Sequence, residues 1–193
     1  MKISIRIYSL LLLQRSTAIT ITMEHHADYA EFDSSLNRKD ALESLIMSYT
    51  ALAESQSNWV ANLANCSSLL YHCYNNAGVN WAGFYVVDVE NPDFLILGPF
   101  MGKVACQSIK IGNGVCGTAA STLKTQLVPN VEDFPGHIAC DGMTKSEIVV
   151  PIVQNNKLIG VIDLDCTELN GFTEVDQKYL EELAVKIAET CKF

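Results

Sequence analysis

Apolar residues recur every three or four positions in two segments of the first half of the chain, a spacing that predicts two amphipathic helices. Asn37 is placed to cap the first helix, because its side chain can accept a hydrogen bond from an N–H group of the first turn. Gly78 is expected to end the second helix, since glycine favours the left-handed backbone of a helix C-terminus. The apolar positions that define the two repeats are Leu42, Leu45, Ile46, Tyr49 and Leu52, then Trp59, Val60, Leu63, Leu70 and Tyr74.

The following segments are rich in β-branched and aromatic residues, which favours strands. Three antiparallel strands are predicted over residues 79–87, 94–97 and 109–111. Turn-like breaks at Asn91-Pro92 and Gly98-Pro99 are expected to separate them. A short helix of small residues over 117–121, a strand over 126–128 and a long loop over 129–144 complete this part of the chain.

A hairpin is predicted from residues 148–153 and 158–164, around an Asn155-Asn156 pair that tolerates the positive φ angles of a tight turn. Thr173 and Asp176 have the spacing of a capping box that opens a last helix. In that helix the side chains expected to face inward are Val175, Leu180, Leu183 and Ile187, and those expected to pair outside are Glu182 and Lys186. The order of elements is typical of an α+β fold, a single domain with helices packed on an antiparallel sheet.

The chain of 193 residues is long enough to bury the core of one domain. Its net charge of −9, with scattered Lys and Arg, argues against nucleic acid as a partner and disfavours an anionic membrane surface. The seven cysteines are an odd number and lie mostly within predicted helices and strands, which favours a reducing compartment.

Three of the cysteines, Cys106, Cys116 and Cys140, lie beside glycines at element ends or in the long loop. Cys140 is flanked by flexible, polar residues and has His137 nearby, so this thiol is expected to be reactive, although Asp141 opposes a thiolate. Cys116 lies where a helix dipole would favour a thiolate, with core packing as the alternative. Cys106 can resolve an oxidised Cys140 if the fold brings the two together. The other cysteines are interpreted as packing residues: Cys66, Cys73, Cys166 and Cys191.

A zinc site is a competing interpretation of four of these residues, His137, Cys106, Cys116 and Cys140. Zinc ligands usually include a closely spaced cysteine pair, and the sequence contains no Cys-x-x-Cys. We therefore expect no bound metal. The absence of Pro-Cys-x-x-Cys also argues against a zinc deaminase.

Asp163 and Asp165 alternate along one predicted strand, so their side chains share a face. In a concave site the two carboxylates suit an ammonium ligand, whereas on a solvated face they are ordinary surface charges. Counting back across the predicted turn places Ile148 opposite Asp163. It places Ser146 opposite Asp165, so Glu147 is a neighbour whose side chain points to the other face unless the strand is bulged.

Trp81 and Tyr85 are four residues apart and share a face of their predicted strand. Core packing is the default interpretation of two such aromatic residues. A pocket lined by them would instead hold a thioether or methyl group through apolar and sulfur–aromatic contacts.

Residues 1–22 carry three basic residues, no acid and an apolar run too short to span a bilayer. The segment is compatible with a signal peptide, a transit peptide, or an extension ahead of a true start at Met23. The domain is therefore predicted over residues 23–193, with no membrane partner.

Seven stretches between about residue 37 and the C-terminus together resemble the free methionine-(R)-sulfoxide reductases. They are NWAGFY from Asn80, LGPF from Leu97, GKVAC from Gly102, GVCGTA from Gly114, PGHIAC from Pro135, SEIVVP from Ser146 and GVIDLD from Gly160. The resemblance implies a single GAF-like domain, a homodimer, and reduction of the free amino acid rather than of peptide-bound residues. It places the enzyme in the cytoplasm, and in the nucleus as well, in the response to oxidative stress.

By motif position, the resemblance implies that Cys140 attacks the substrate, that Cys106 resolves the resulting sulfenic acid as a disulfide and that Cys116 is an auxiliary thiol. It implies substrate contacts by Glu147, Asp163 and Asp165, with Glu147 as the proton donor, and a methyl pocket formed by Trp81 and Tyr85. Thioredoxin would reopen the disulfide, and no cofactor would be bound. A GAF sensor that binds a small ligand without turnover is the alternative, and a purely structural domain is a third.

Overall fold

The computed structural model of the chain describes residue 32 and residues 35–74, 77–136 and 142–193. The predictions for residues 1–22, His137, Cys140 and Asp141 therefore lie outside the described residues. Within those ranges the helices are α1 (Arg38–Ala53), α2 (Trp59–Cys73), α3 (Gly114–Thr122) and α4 (Glu174–Thr190). The strands are β1 (Val79–Val87), β2 (Phe94–Gly102), β3 (Ser108–Lys110), β4 (Gln126–Val128), β5 (Ser146–Gln154) and β6 (Lys157–Cys166). No helix in the described ranges is long and apolar enough to cross a membrane.

The helix boundaries follow their capping residues. Asn37 Oδ1 accepts a hydrogen bond from the backbone N–H of Asp40 at 3.0 Å, as predicted. The capping box of Thr173 and Asp176 is present at the start of α4. Gly78 is not the terminator of α2, which ends at Cys73. Gly78 has a φ of 79° and instead leads the chain into β1.

The inward face of α4 differs from the predicted one at its first turn. Val175 is 43% exposed, because it lies well off the side of the helix on which Leu180 is buried. Asp176 takes the inward position and forms an ion pair with Arg38 at 2.9 Å. On the outer face Lys186 contacts Glu189 at 3.3 Å.

The strands form one antiparallel sheet in the order β3-β2-β1-β6-β5-β4. One face of the sheet is covered by α2 and α4, and α1 packs against both helices to complete the larger apolar core. The other face carries α3 and a smaller cluster of buried side chains. The observed architecture is the predicted α+β fold, with a second, smaller layer under α3.

Gly98-Pro99 does not break the sheet, since β2 runs through both residues. The pairing of β1 with β2 shifts between Gly83 and Tyr85, so that Phe84 lies opposite two residues of β2 instead of one. This bulge accommodates Pro99, which lacks an N–H donor. On the other side of β2, β3 pairs only with residues 94–96, so the proline needs no partner there.

The hairpin of β5 and β6 turns at Asn155 and Asn156, whose φ angles of 52° and 62° confirm the predicted tight turn. A bulge between Ile152 and Val153 then shifts the pairing by one residue. The partner of Asp163 is therefore Val149, not Ile148.

The same shift pairs Asp165 with Glu147 rather than with Ser146. Directly opposed residues in a sheet place their side chains on the same face. The bulge thus brings Glu147 to the face of Asp163 and Asp165.

Candidate active site

A pocket opens on the face of the sheet that carries α3. Six residues singled out in the sequence line it: Trp81, Tyr85, Cys116, Glu147, Asp163 and Asp165. Cys106 lies at its edge, beside the lining residue Ala105. The sequence therefore predicts the composition of this pocket, while the position of Cys140 lies outside the described residues.

The pairing of three adjacent strands brings the acids and the aromatic residues together. Trp81 of β1 pairs with Asp165 of β6, which pairs on its other side with Glu147 of β5. In the next row Gly83 pairs with Asp163. Since side chains alternate along each strand, these residues project into one pocket from a rigid floor.

Glu147 and Asp163 are buried, with 7% and 6% of their surfaces exposed, while Asp165 is half-buried. Burial is the main reason why the pKa of Glu147 lies well above its usual range, and the nearby charges of Asp163 and Asp165 raise it further. Burial also raises the pKa of Asp163 to about 7, against the opposing effect of hydrogen bonds with Cys116 and Glu147. Burial therefore favours the protonated form of Glu147.

Asp163 is also incompletely satisfied. Its Oδ1 is buried and has no hydrogen-bond partner within the described ranges. A buried carboxyl oxygen without a partner is unfavourable by about 1–3 kcal/mol or more, so this atom marks a place where a ligand with a hydrogen-bond donor would be stabilised.

The aromatic wall of the pocket is formed by Trp81 and Tyr85, and Phe100 stacks on Trp81 outside the pocket lining. The Trp81 ring lies 5.2 Å from that of Phe100 and 5.9 Å from that of Tyr85. Gly83 leaves space for the Trp81 ring, because a Cβ atom at position 83 would lie 2.8 Å from the far end of the indole. Phe100 and Gly83 were not predicted as site residues, although both belong to stretches that carry the resemblance.

The polar tips of the same aromatic residues hold the segment 103–106 against the pocket. Trp81 Nε1 donates a hydrogen bond to the carbonyl of Lys103 at 3.1 Å. The Tyr85 hydroxyl donates one to the carbonyl of Cys106, also at 3.1 Å. These contacts place Cys106 beside the pocket. No sequence pattern predicts them, because their acceptors are backbone carbonyls.

Cys106 differs from the other described cysteines because it is disulfide-bonded. The free thiols in the described ranges are those of Cys66, Cys73, Cys116, Cys166 and Cys191. Cys66, Cys166 and Cys191 are buried in the larger core, as expected of packing residues. Burial raises the pKa of the half-buried Cys73 thiol to about 12.

Cys116 lies in the first turn of α3, where the helix dipole was expected to favour a thiolate. That expectation is wrong. Burial raises the pKa of Cys116 well above its usual value, and the neighbouring Asp163 and Glu147 raise it further. The protonated thiol is therefore favoured, because a buried anion here would face two carboxyl groups.

Among the described residues, one cluster has the composition of a metal site. Cys116, Glu147 and Asp163 each place one ligand atom within 4.8 Å of the other two. It shares only Cys116 with the zinc site considered from the sequence, because that site was drawn from cysteine and histidine residues and left out the acids.

The chain is similar to proteins of a known family. Residues 75–190 match the GAF domain family. The free methionine-R-sulfoxide reductase of Saccharomyces cerevisiae is 56% identical over 172 residues, covering 88% of this chain and 96% of that protein. The enzyme of the same name from Escherichia coli is 41% identical, over 79% of this chain and 89% of its own length.

A solved structure is similar as well. It is that of the free methionine-R-sulfoxide reductase from Neisseria meningitidis in complex with its substrate. The two chains are 37% identical and superpose with a TM-score of 0.78, over 84% of this chain and 95% of the other.

Proposed function

This chain belongs to the GAF-domain family of free methionine-R-sulfoxide reductases, and we propose that it reduces free L-methionine-(R)-sulfoxide to L-methionine by thiol chemistry. It is an oxidoreductase. The observation that carries the mechanism is the meeting of a protonated Glu147, an incompletely satisfied Asp163 and an aromatic wall in one pocket.

The ammonium group of the substrate would lie between Asp163 and Asp165. An opposite charge relieves the repulsion between the buried acids, and an N–H donor satisfies the free Oδ1 of Asp163. A methionine sulfoxide within a peptide has no ammonium group to offer. The two acids therefore supply the preference for the free amino acid.

The substrate carboxylate would lie at the start of α3. Gly114 and Val115 of its first turn line the pocket, and Asn113 does not cap them through its side chain. The N–H groups and the positive end of the helix dipole suit a carboxylate.

The methyl sulfoxide end would lie against the Trp81–Tyr85 wall, because an aromatic face holds a methyl group and a sulfur atom by apolar contact. The orientation places the sulfoxide within reach of Glu147 on the same face.

In the chemical step, the Cys140 thiolate attacks the sulfoxide sulfur while Glu147 donates a proton to the oxygen. The oxygen passes to Cys140 as a sulfenic acid, and methionine leaves after a two-electron reduction of its sulfur. The Cys106 thiol then displaces water from that sulfenic acid to form a disulfide. A thioredoxin dithiol reopens it by exchange.

Two observations support these roles. Cys106 is disulfide-bonded and held at the pocket edge by Tyr85, as a resolving cysteine requires. Cys116 is a protonated thiol beside the acids, which fits an auxiliary role better than that of the attacking group. We propose that the protein acts in a reducing compartment such as the cytoplasm, and in the nucleus as well. We also propose that it forms a homodimer, which light scattering of the purified protein would reveal.

The test couples the protein to thioredoxin, thioredoxin reductase and NADPH, and follows NADPH with each epimer of free methionine sulfoxide. We expect consumption with the R epimer alone. Cys140→Ser should abolish it, whereas Cys73→Ser, which removes a free thiol outside the pocket, should not. Binding of the R epimer without any consumption would instead identify a sensor.

A further inference from the structure

The pocket places one thiol and two carboxyl groups where a single divalent cation fits between them. Cys116 Sγ and one oxygen each of Glu147 and Asp163 all lie within 4.8 Å of one another. Zinc binds thiolate at about 2.3 Å and carboxylate oxygen at about 2.0–2.2 Å, so tetrahedral ligands lie about 3.5 Å apart. The three groups need to approach by only about 1 Å to enclose the ion.

The cluster also contains a buried oxygen atom that a bound ligand would stabilise. Asp163 is 94% buried, and within the described ranges its Oδ1 has no hydrogen-bond partner. That side chain lines the pocket. A cation bound by this oxygen would replace the missing hydrogen bond with a stronger interaction.

The three ligands are held by different elements that the fold already fixes. Glu147 and Asp163 project from the paired strands β5 and β6, and Cys116 lies in the first turn of α3, which packs on both strands. Binding would order few side chains that are not already fixed, so little of the affinity would be lost to conformational entropy.

We propose that Cys116, Glu147 and Asp163 form a site for Zn²⁺ or another soft divalent cation, and that this cation competes with the ammonium group of the substrate. On binding, Cys116 and Glu147 each release a proton to solvent, water fills the remaining coordination position, and no electrons are transferred. The competition rests on the proposed function, because both cations would occupy the space beside Asp163. The metal site itself does not depend on the proposed function.

Cadmium is the probe, because its bond to a thiolate gives an ultraviolet charge-transfer band. The full chain is first oxidised, so that the thiol of Cys106 is occupied in its disulfide. We expect the band to saturate at one ion per chain. It should disappear in Cys116→Ser and persist in Cys73→Ser, the matched loss of a free thiol outside the pocket.

The absence of a band, or an unchanged band in Cys116→Ser, overturns the site. If circular dichroism shows that Cys116→Ser does not fold, Asp163→Asn becomes the test of the metal site. This substitution keeps the volume of the side chain and removes its charge. Its affinity for cadmium should fall about tenfold or more. An unchanged affinity contradicts the proposal.

Competition is measured on the same oxidised protein, which cannot turn over. Free methionine-(R)-sulfoxide should raise the apparent Kd for cadmium in proportion to its concentration. Where calorimetry shows that the sulfoxide binds but the cadmium Kd does not change, the competition is wrong. Where calorimetry shows no sulfoxide binding, the competition is wrong; the metal site is then judged by the cadmium band and the proposed function by the NADPH assay.

Discussion

Alternate residues of β6 are all buried but face two chemically opposite environments. Ile162 and Leu164 are fully buried in the apolar core under the helices. Asp163, between them, is almost as deeply buried on the other face, in the pocket. Burial of an aliphatic side chain stabilises a fold by about 1.5–3 kcal/mol, whereas burial of a carboxyl group without full hydrogen bonding is unfavourable.

The difference shows how the two layers divide their tasks. The core face supplies stability and needs only apolar volume. The pocket face buries Glu147 and Asp163, which raises the pKa of both, and the nearby charges of Asp163 and Asp165 raise that of Glu147 further. The unfavourable burial of acids on the pocket face is tolerated because apolar burial on the core face offsets it.

The largest effect should come from the pocket. Glu147→Gln removes the proposed proton donor and should lower kcat by about 10²–10⁴, with little change in stability. Because the pKa of Glu147 is raised well above its usual range, wild-type kcat should fall at high pH as this proton is lost. Glu132→Gln, an exposed acid outside the pocket, is the control in the thioredoxin-coupled assay. Equal kcat values for the two variants would refute the assignment of Glu147.

The matching change on the core face is Leu164→Ala. It should lower the free energy of unfolding by about 2–5 kcal/mol, because it leaves a cavity in a fully buried site. KM should not change, since the side chain points away from the pocket. Urea denaturation measures the loss, with Val175→Ala as the comparison, because that side chain is 43% exposed. Similar losses in both variants would contradict the assignment of Leu164 to the stabilising core.

A pH series separates the two faces further. The pKa of Asp163 rises from 3.8 to about 7 on folding, so the folded protein holds this proton more tightly than the unfolded chain. Its contribution to stability is therefore full below about pH 4 and is lost as the pH rises through 7. The stability of Asp163→Asn relative to wild type should increase over that window by on the order of 1 kcal/mol or more. A difference that does not depend on pH would contradict the shift.

The smallest effect is expected at Tyr85, which joins the pocket to the segment 103–106. Tyr85→Phe loses the hydrogen bond to the Cys106 carbonyl and should destabilise the protein by about 0.5–1.5 kcal/mol. It should also raise KM, by about tenfold or less, because the segment loses a tether. Tyr49→Phe loses a comparable bond to Thr190 in the core, so its KM should stay unchanged. A rise in KM in both variants would mean that the effect is not local to the pocket.

Periodicity predicted most of the fold because most elements obey it. The order of elements, the hairpin turn at Asn155 and Asn156, and the strands 79–87 and 126–128 all follow from local patterns. The departures lie where tertiary pairing overrides a local signal. A bulge opposite Phe84 lets Gly98-Pro99 stay within a strand.

The same reason limited the prediction of the site. The residue types in the pocket were recognisable, but the side to which Glu147 points depended on a single extra residue in β6. The protonation of Cys116 depends on its burial and on Asp163 and Glu147, which come from other elements, and not on its own helix alone. Hydrogen bonds to backbone carbonyls, such as that of Trp81 to Lys103, leave no trace in the sequence.

The ring stack around Trp81 gives the pocket an optical signal of its own. The protein has two tryptophans, and Trp59 stacks instead on Phe193 at the end of the chain, with 5.8 Å between ring centroids. Trp59→Phe therefore leaves an indole that emits only from the pocket. Its fluorescence would follow the arrival of substrate and the opening of the Cys106 disulfide in real time, on a chain that carries no added label.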